Sequence, residues 1–177
     1  MTAASWLTKL GEAEVRFCLR ANRSCERPSI LGLFAAVSRL GDGVFWYLLI
    51  ATLPLLYGTA GLGVALQLAV AGILGNAVYR LLKERLVRER PCNLHPRIRA
   101  GARALDRYSF PSGHTLHAVS FTVITVTAFP ALGWLLIPFA VLIAMSRVIL
   151  GLHYPSDVAA GALLGLALAR LVASFAA

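Results

Sequence analysis

The chain has 177 residues, room for one domain and too few for two comfortable ones. Hydrophobic residues make up 58% of it and charged residues 14%, with a mean hydropathy of +0.73, which all but excludes a water-soluble enzyme. The 17 Lys and Arg against 8 Asp and Glu leave a net charge of +9, and 15 of the 17 are arginine, so the partner should be rich in phosphate. In so apolar a chain that partner is a lipid headgroup rather than nucleic acid. Cys18, Cys25 and Cys92 are odd in number and lack metal-site spacing, so neither a disulfide framework nor a zinc site is expected.

In chain order, Lys9, Glu12, Glu14 and Arg16 interrupt the region where a signal peptide would need an uncharged core, so the mature chain is expected to begin near Met1. Residues 5 to 40 mix apolar side chains with Lys9, Arg16, Arg20, Arg23 and Arg27 and read as interfacial helices. Ser29 to Leu40 is expected to lie on the membrane, with a sixth span as its rival, because 12 residues are short for crossing. Gly43 to Tyr79 carries no charge and is long enough for two spans, breaking near Gly58 to Gly63. Tyr108 to Ser146 gives two more, with a turn at Pro130 and Gly133, and Val158 to Ala177 gives the fifth, Arg170 snorkelling. The expected fold is all-α, a polytopic membrane bundle of about five transmembrane helices plus N-terminal interfacial helices.

Three clusters carry chemistry. In Lys83-Glu84-Arg85-Leu86-Val87-Arg88-Glu89-Arg90-Pro91, Lys83 and Arg90 stand two helical turns apart and project from one face of a continuing helix. Glu84 is expected to pair with Arg88, and Glu89 with Arg85, leaving Lys83 and Arg90 unpaired until Pro91 ends the helix. A juxtamembrane basic helix gripping anionic lipid would look similar. The second cluster, Pro111-Ser112-Gly113-His114, sits where the polar loop meets the third span, so a hydroxyl, a backbone amide and an acid meet at a helix N-terminus; an ordinary capped helix start is the plain alternative. His117 is expected to pack and His95 to be solvated. The third cluster is Ser146-Arg147 followed by His153 and Asp157, where Asp157 can orient the imidazole and Arg147 can clamp phosphate. Ionisable groups bordering membrane helices are usually functional.

Lys83 with six residues before Arg90-Pro91, then Pro111-Ser112-Gly113-His114, then Ser146-Arg147 with five residues before His153 and three more before Asp157, resembles the type 2 phosphatidic acid phosphatase superfamily. Every motif position is filled. Ser38-Arg39-Leu40-Gly41-Asp42-Gly43 also resembles small bacterial members, less specifically. The resemblance implies one domain over residues 1–177, with 1–42 as an interfacial segment and 43–177 as the transmembrane catalytic core. It implies hydrolysis of a lipid phosphate or diphosphate through a phosphohistidine, without metal or other cofactor. His153 would attack, Asp157 would orient it and His114 would protonate the leaving oxygen, while Lys83, Arg90, Ser112, the Gly113 amide and Arg147 hold phosphoryl oxygens.

Undecaprenyl diphosphate is the leading candidate substrate, with phosphatidic acid and phosphatidylglycerol phosphate next; lipid-to-lipid phosphotransfer and non-catalytic phospholipid binding are the other readings. The expected setting is the bacterial cytoplasmic membrane. Sixteen of the 17 basic residues share one face, which points inward by the charge rule. Resemblance to phosphatases that recycle carrier lipids points the site to the periplasm or exterior, and the outward face is the expectation. Oligomeric state has no signal in the sequence.

Overall fold

The computed structural model describes residues 3–104 and 106–175, and among these the regular structure is helical. The expected start near Met1 lies outside the described residues. Two helices open the chain, α1 (Ala3–Arg23) and α2 (Pro28–Gly41), joined by a short 3-10 turn at Ser24–Glu26. Pro28 stands at the first helical position of α2, where its missing N–H costs nothing. At 14 residues α2 spans about 21 Å, short of a hydrocarbon core of about 30 Å. It packs on α6 through Phe34, Val37, Ser38 and Gly41.

The long apolar helix α3 (Val44–Arg85) is a hairpin of two arms, 44–57 and 59–85. Gly58 turns the chain at φ 58°, ψ −133°, a conformation that only glycine adopts without strain. The arms then close so tightly that a Cβ on Gly61 would lie 2.0 Å from the Leu53 carbonyl oxygen. The expected break between Gly58 and Gly63 is thus found at its first residue. A polar stretch holding the one-turn helix α4 (Pro91–Leu94) leads to α5 (Gly113–Ala128), α6 (Gly133–Ile149) and α7 (Pro155–Ser174). A 3-10 turn at Pro130–Leu132 joins α5 to α6, where Pro130 and Gly133 mark it in the sequence.

Helix α5 is central and packs on α3, α6 and α7. Its contact with α7 is the closest, because Gly165 presses on the Leu116 carbonyl, where a Cβ would approach to 2.4 Å. Trp46, Leu53, Leu68, Leu116, Phe121, Leu136, Ile143 and Leu168 form one core shared by α3, α5, α6 and α7. The outer faces are the reverse of a soluble protein's, with Leu55 83% and Trp134 91% exposed. Side chains of that kind are solvated by lipid, and the chain is an integral membrane protein. The start of α5, the ends of α2, α6 and the second arm of α3, and the loop before α7 meet at one end of the bundle.

One expectation fails at that end. The helix does not run from Lys83 to Pro91; α3 stops at Arg85, and residues 87–90 are irregular. The Arg88 carbonyl accepts the Ser109 N–H (2.8 Å) and hydroxyl (3.2 Å), so a partner across the loop takes what the helix would have used. Pro91 begins α4 instead of ending a helix. The expected Glu84–Arg88 and Glu89–Arg85 pairs are therefore not formed: Arg88 bonds Glu14 and Asp157, and Glu89 meets Arg107 at 3.6 Å.

Candidate active site

Helix ends and loops deliver six of the eight marked residues to one cavity of about 600 Å³. Lys83 reaches it from the last turn of α3, Arg90 from the residue preceding α4, Gly113 and His114 from the first turn of α5, Arg147 from the last turn of α6, and His153 from the loop before α7. Below this charged end the walls turn to Trp46, Ile50, Leu68 and Phe121, with Asn76 and Tyr79 between. The polar part of the wall follows one stripe of α3, since 76, 79 and 83 recur at helical spacing.

His153 is 1% exposed. Its Nε2 lies 3.2 Å from Arg90 Nη1, and because a guanidinium only donates, Nε2 carries the lone pair and Nδ1 the proton. Nδ1 faces Asp157 Oδ2 at 3.6 Å, beyond hydrogen-bond length, and makes no other bond among the described residues. Asp157 is fully buried, its Oδ2 accepting the Tyr154 N–H at 2.8 Å. Burial, together with the charges of Arg147, Arg90 and Lys83, holds the His153 imidazole well below the usual histidine range, so it is neutral at pH 7.

Arg90 is 2% exposed and donates to the Leu152 carbonyl at 2.8 Å and to Asp106 Oδ1 at 2.7 Å. Lys83 Nζ donates to the same Oδ1 at 2.5 Å and to the Tyr108 carbonyl at 2.9 Å. Lys83 and Arg90 thus converge as expected from the sequence, by a different backbone route. Asp106, which the sequence reading did not single out, lies between them. Burial would raise its carboxyl, but the hydrogen bonds and charges of Lys83 and Arg90 prevail and hold it below the usual carboxylate range.

Arg147 Nη1 donates to the Ser38 hydroxyl, and His114 Nε2 meets Asp42 Oδ1. Both partners come from the N-terminal Ser38 to Gly43 stretch, whose resemblance had suggested no role for either. Ser112 stands apart: its hydroxyl caps α5, facing the Thr115 N–H at 3.5 Å and the Thr115 hydroxyl at 2.9 Å, and it does not line the cavity. Gly113 does line it, at a helix start whose first N–H groups have no intrahelical acceptor. His117 packs between Tyr79 and Phe121 as expected, with its Nδ1–H donated to the Gly113 carbonyl at 2.9 Å, though it also touches the cavity. His95 is half-buried and away from the cavity. Among the described residues no group of three or more His, Cys, Asp or Glu is placed to hold a metal ion.

Such an arrangement suits transfer of a phosphoryl group. A neutral imidazole nitrogen faces the space between three cationic side chains, a second histidine stands nearby, and an apolar channel leads away. Comparison with known proteins agrees with the geometry. The model of the PAP2 superfamily matches residues 62–177. The chain is 31% identical over 153 residues to the decaprenylphosphoryl-5-phosphoribose phosphatase of Mycobacterium tuberculosis, covering 84% of this chain and 82% of that one. It is 34% identical over 138 residues to an undecaprenyl-diphosphatase of Sulfolobus acidocaldarius, covering 76% and 65%. The crystal structure of a transmembrane PAP2-type phosphatidylglycerolphosphate phosphatase from Bacillus subtilis superposes with a TM-score of 0.77 at 25% identity, over 94% of this chain and 86% of that one.

Proposed function

Since the chain belongs to the PAP2 superfamily and is a lipid phosphatase of that type, we propose that it hydrolyses a polyprenyl-linked phosphate through a phosphohistidine on His153. The observation that carries this reading is the position of His153 Nε2, unprotonated, 3.2 Å from Arg90 at the charged end of a cavity that continues between Trp46, Ile50, Leu68 and Phe121. In the first step Nε2 bonds to phosphorus, the bond from phosphorus to the leaving oxygen breaks, and His114 gives that oxygen a proton. In the second, water attacks phosphorus, its proton passes to His114, and the nitrogen–phosphorus bond breaks.

Lys83, Arg90 and Arg147 hold the non-bridging oxygens once Asp106 has moved aside, with the Gly113 amide at the start of α5 as a further donor. One such donor is typically worth about 3 kcal/mol in the transition state. Ser112 serves by capping α5 and so aiming that amide. Asp157 orients the His153 ring, the 3.6 Å gap closing as positive charge develops on the imidazole.

Both curated relatives described above act on a polyprenyl-linked phosphate, and undecaprenyl diphosphate is the substrate of one. Asn76 and Tyr79 favour a headgroup with a polar element between the reacting phosphate and the lipid chain, either a second phosphate or a sugar. The membrane is the bacterial cytoplasmic membrane, with the site on its outer face. The deciding measurement is phosphate release by the purified protein in detergent across undecaprenyl diphosphate, polyprenylphosphoryl pentose phosphate, phosphatidic acid and phosphatidylglycerol phosphate. The polyprenyl substrates should exceed the glycerolipids in kcat/KM by at least about tenfold. Preference for a glycerolipid would overturn the substrate reading.

A further inference from the structure

Arg88 stands two residues before Arg90 and takes no part in holding phosphate; its guanidinium lies behind the nucleophile. Nη1 donates to Asp157 Oδ1 at 2.6 Å and to the Ser156 hydroxyl at 2.7 Å, and Nη2 donates to Glu14 Oε2 at 2.8 Å. The guanidinium also covers the Tyr154 ring, 4.0 Å from its centroid. Glu14, on α1 and 8% exposed, accepts the Ser156 N–H on its other oxygen at 2.7 Å. A continuous line of charge therefore runs from α1 to the reacting histidine: Glu14, Arg88, Asp157, His153.

A fully buried Asp157 acting alone on Nδ1 would favour the protonated imidazole, which cannot attack. Arg88, bonded to the other carboxylate oxygen, draws part of that charge away. Glu14 in turn neutralises part of Arg88. We propose that Glu14 and Arg88 are positioning residues of the phosphatase, Arg88 fixing the Asp157 carboxylate behind His153 and Glu14 setting how much of its charge reaches the ring. This rests on His153 being the nucleophile.

On the cavity side His153 faces Arg90, with Lys83, Arg147 and His114 near, and Asp106 partly offsets Lys83 and Arg90. Behind it, Cys18 lies with its Sγ 3.8 Å from the His153 carbonyl oxygen, and burial with the charges of Glu14 and Asp157 pushes its thiol up to about 12, so it adds no charge. Tyr154 likewise stays neutral, its hydroxyl pushed up mainly by burial.

The test is the pH dependence of orthovanadate binding to the full chain in detergent, read by tryptophan fluorescence, since Trp46 lines the cavity. Vanadate becomes five-coordinate on an unprotonated imidazole, so binding falls as His153 takes up a proton. Glu14→Gln should move this acid limb to lower pH, and Arg88→Gln should move it to higher pH, each by about one unit. Arg88→Lys, which keeps the charge but cannot fork between two carboxylates, should fall between wild type and Arg88→Gln.

Opposite shifts support the proposal, because structural damage would weaken binding in both variants without moving the limb in two directions. Shifts of the same sign, or none, overturn it. Should Arg88→Gln fail to fold, the downward shift in Glu14→Gln decides alone. His153→Ala separates this from the reading beneath it: an acid limb that survives that substitution removes the nucleophile assignment, and the proposal with it.

Discussion

The Asp106 carboxylate accepts from Arg90 Nη2 at 2.7 Å, which places a protein anion between the two cations, Lys83 and Arg90, best suited to a phosphate. Held below the usual carboxylate range, it stays charged at any ordinary assay pH, and on the proposed mechanism it must yield to the substrate. Asp106→Asn should therefore lower KM and the inhibition constant for inorganic phosphate by about tenfold, equivalent to about 1.4 kcal/mol, with kcat changed less. Steady-state kinetics with added phosphate checks both constants. A raised KM would mean that the carboxylate organises the cradle rather than competing for it.

His153→Ala and His114→Ala are each expected to reduce turnover by at least about a thousandfold, since neighbouring donors cannot replace a nucleophile or a proton donor. Vanadate binding should be lost in the first and retained in the second. Asp157→Asn should be milder, an amide oxygen still being able to face Nδ1. Phosphate release from detergent-solubilised protein, alongside thermal unfolding of each variant, separates lost chemistry from lost fold.

On the proposed mechanism Lys83, Arg90 and Arg147 supply the positive charge at the reacting phosphate, so activity is expected to persist in excess EDTA and to be inhibited by orthovanadate. Activity lost on chelation and restored by a divalent ion would contradict this. Arg147 is 2% exposed and tied to Ser38, so Ser38→Ala should raise KM several-fold by loosening the guanidinium, and Arg147→Lys should do so more severely, a single ammonium being unable to replace the fork.

The His153 imidazole is held down by its burial and by Arg147, Arg90 and Lys83, so it remains neutral as pH falls through about 6.5, where an ordinary histidine protonates. The acid limb of kcat/KM that belongs to it should consequently lie well below that value. The profile is best taken from initial rates with a buffer series of constant ionic strength. A limb at or above 6.5 would show that the surrounding cations do not act on the ring as their positions imply.

For orientation, the buried Cys18 thiol is a poor target, and burial also raises the Cys25 and Cys92 thiols, which makes all three native cysteines slow reporters. The exposed Arg97, in the loop carrying Arg90 and Asp106, is a better position. Arg97→Cys, in a chain with Cys25 and Cys92 replaced by serine, is expected to react with a membrane-impermeant thiol reagent in intact cells. Protection until permeabilisation would place the site on the inner face.

The side chains gathered at the open end of the bundle were legible because they stand at fixed local spacing: Lys83 to Arg90, Gly113 to His114, Arg147 to His153. The apolar arms were legible because lipid imposes long uncharged runs, and Gly58 because a helix that must reverse needs a residue without a Cβ. What was not legible is contact between distant segments. Glu14 meets Arg88 across 74 residues and Asp42 meets His114 across 72, and nothing in the spacing of either pair announces it. The expected Glu84–Arg88 and Glu89–Arg85 pairs applied a helical rule to a stretch that Ser109 pulls out of the helix. Asp106 was missed for the same reason, a loop carboxylate having no period to betray it.

The match to the superfamily begins at residue 62, while Ser38 and Asp42 lie upstream of it. The partners of His114 and Arg147 thus lie outside the residues that the superfamily model matches. Two proteins alike from residue 62 onward can differ in how firmly His114 and Arg147 are held, and grafting the first 43 residues of one onto the other would exchange that property while leaving every signature residue in place.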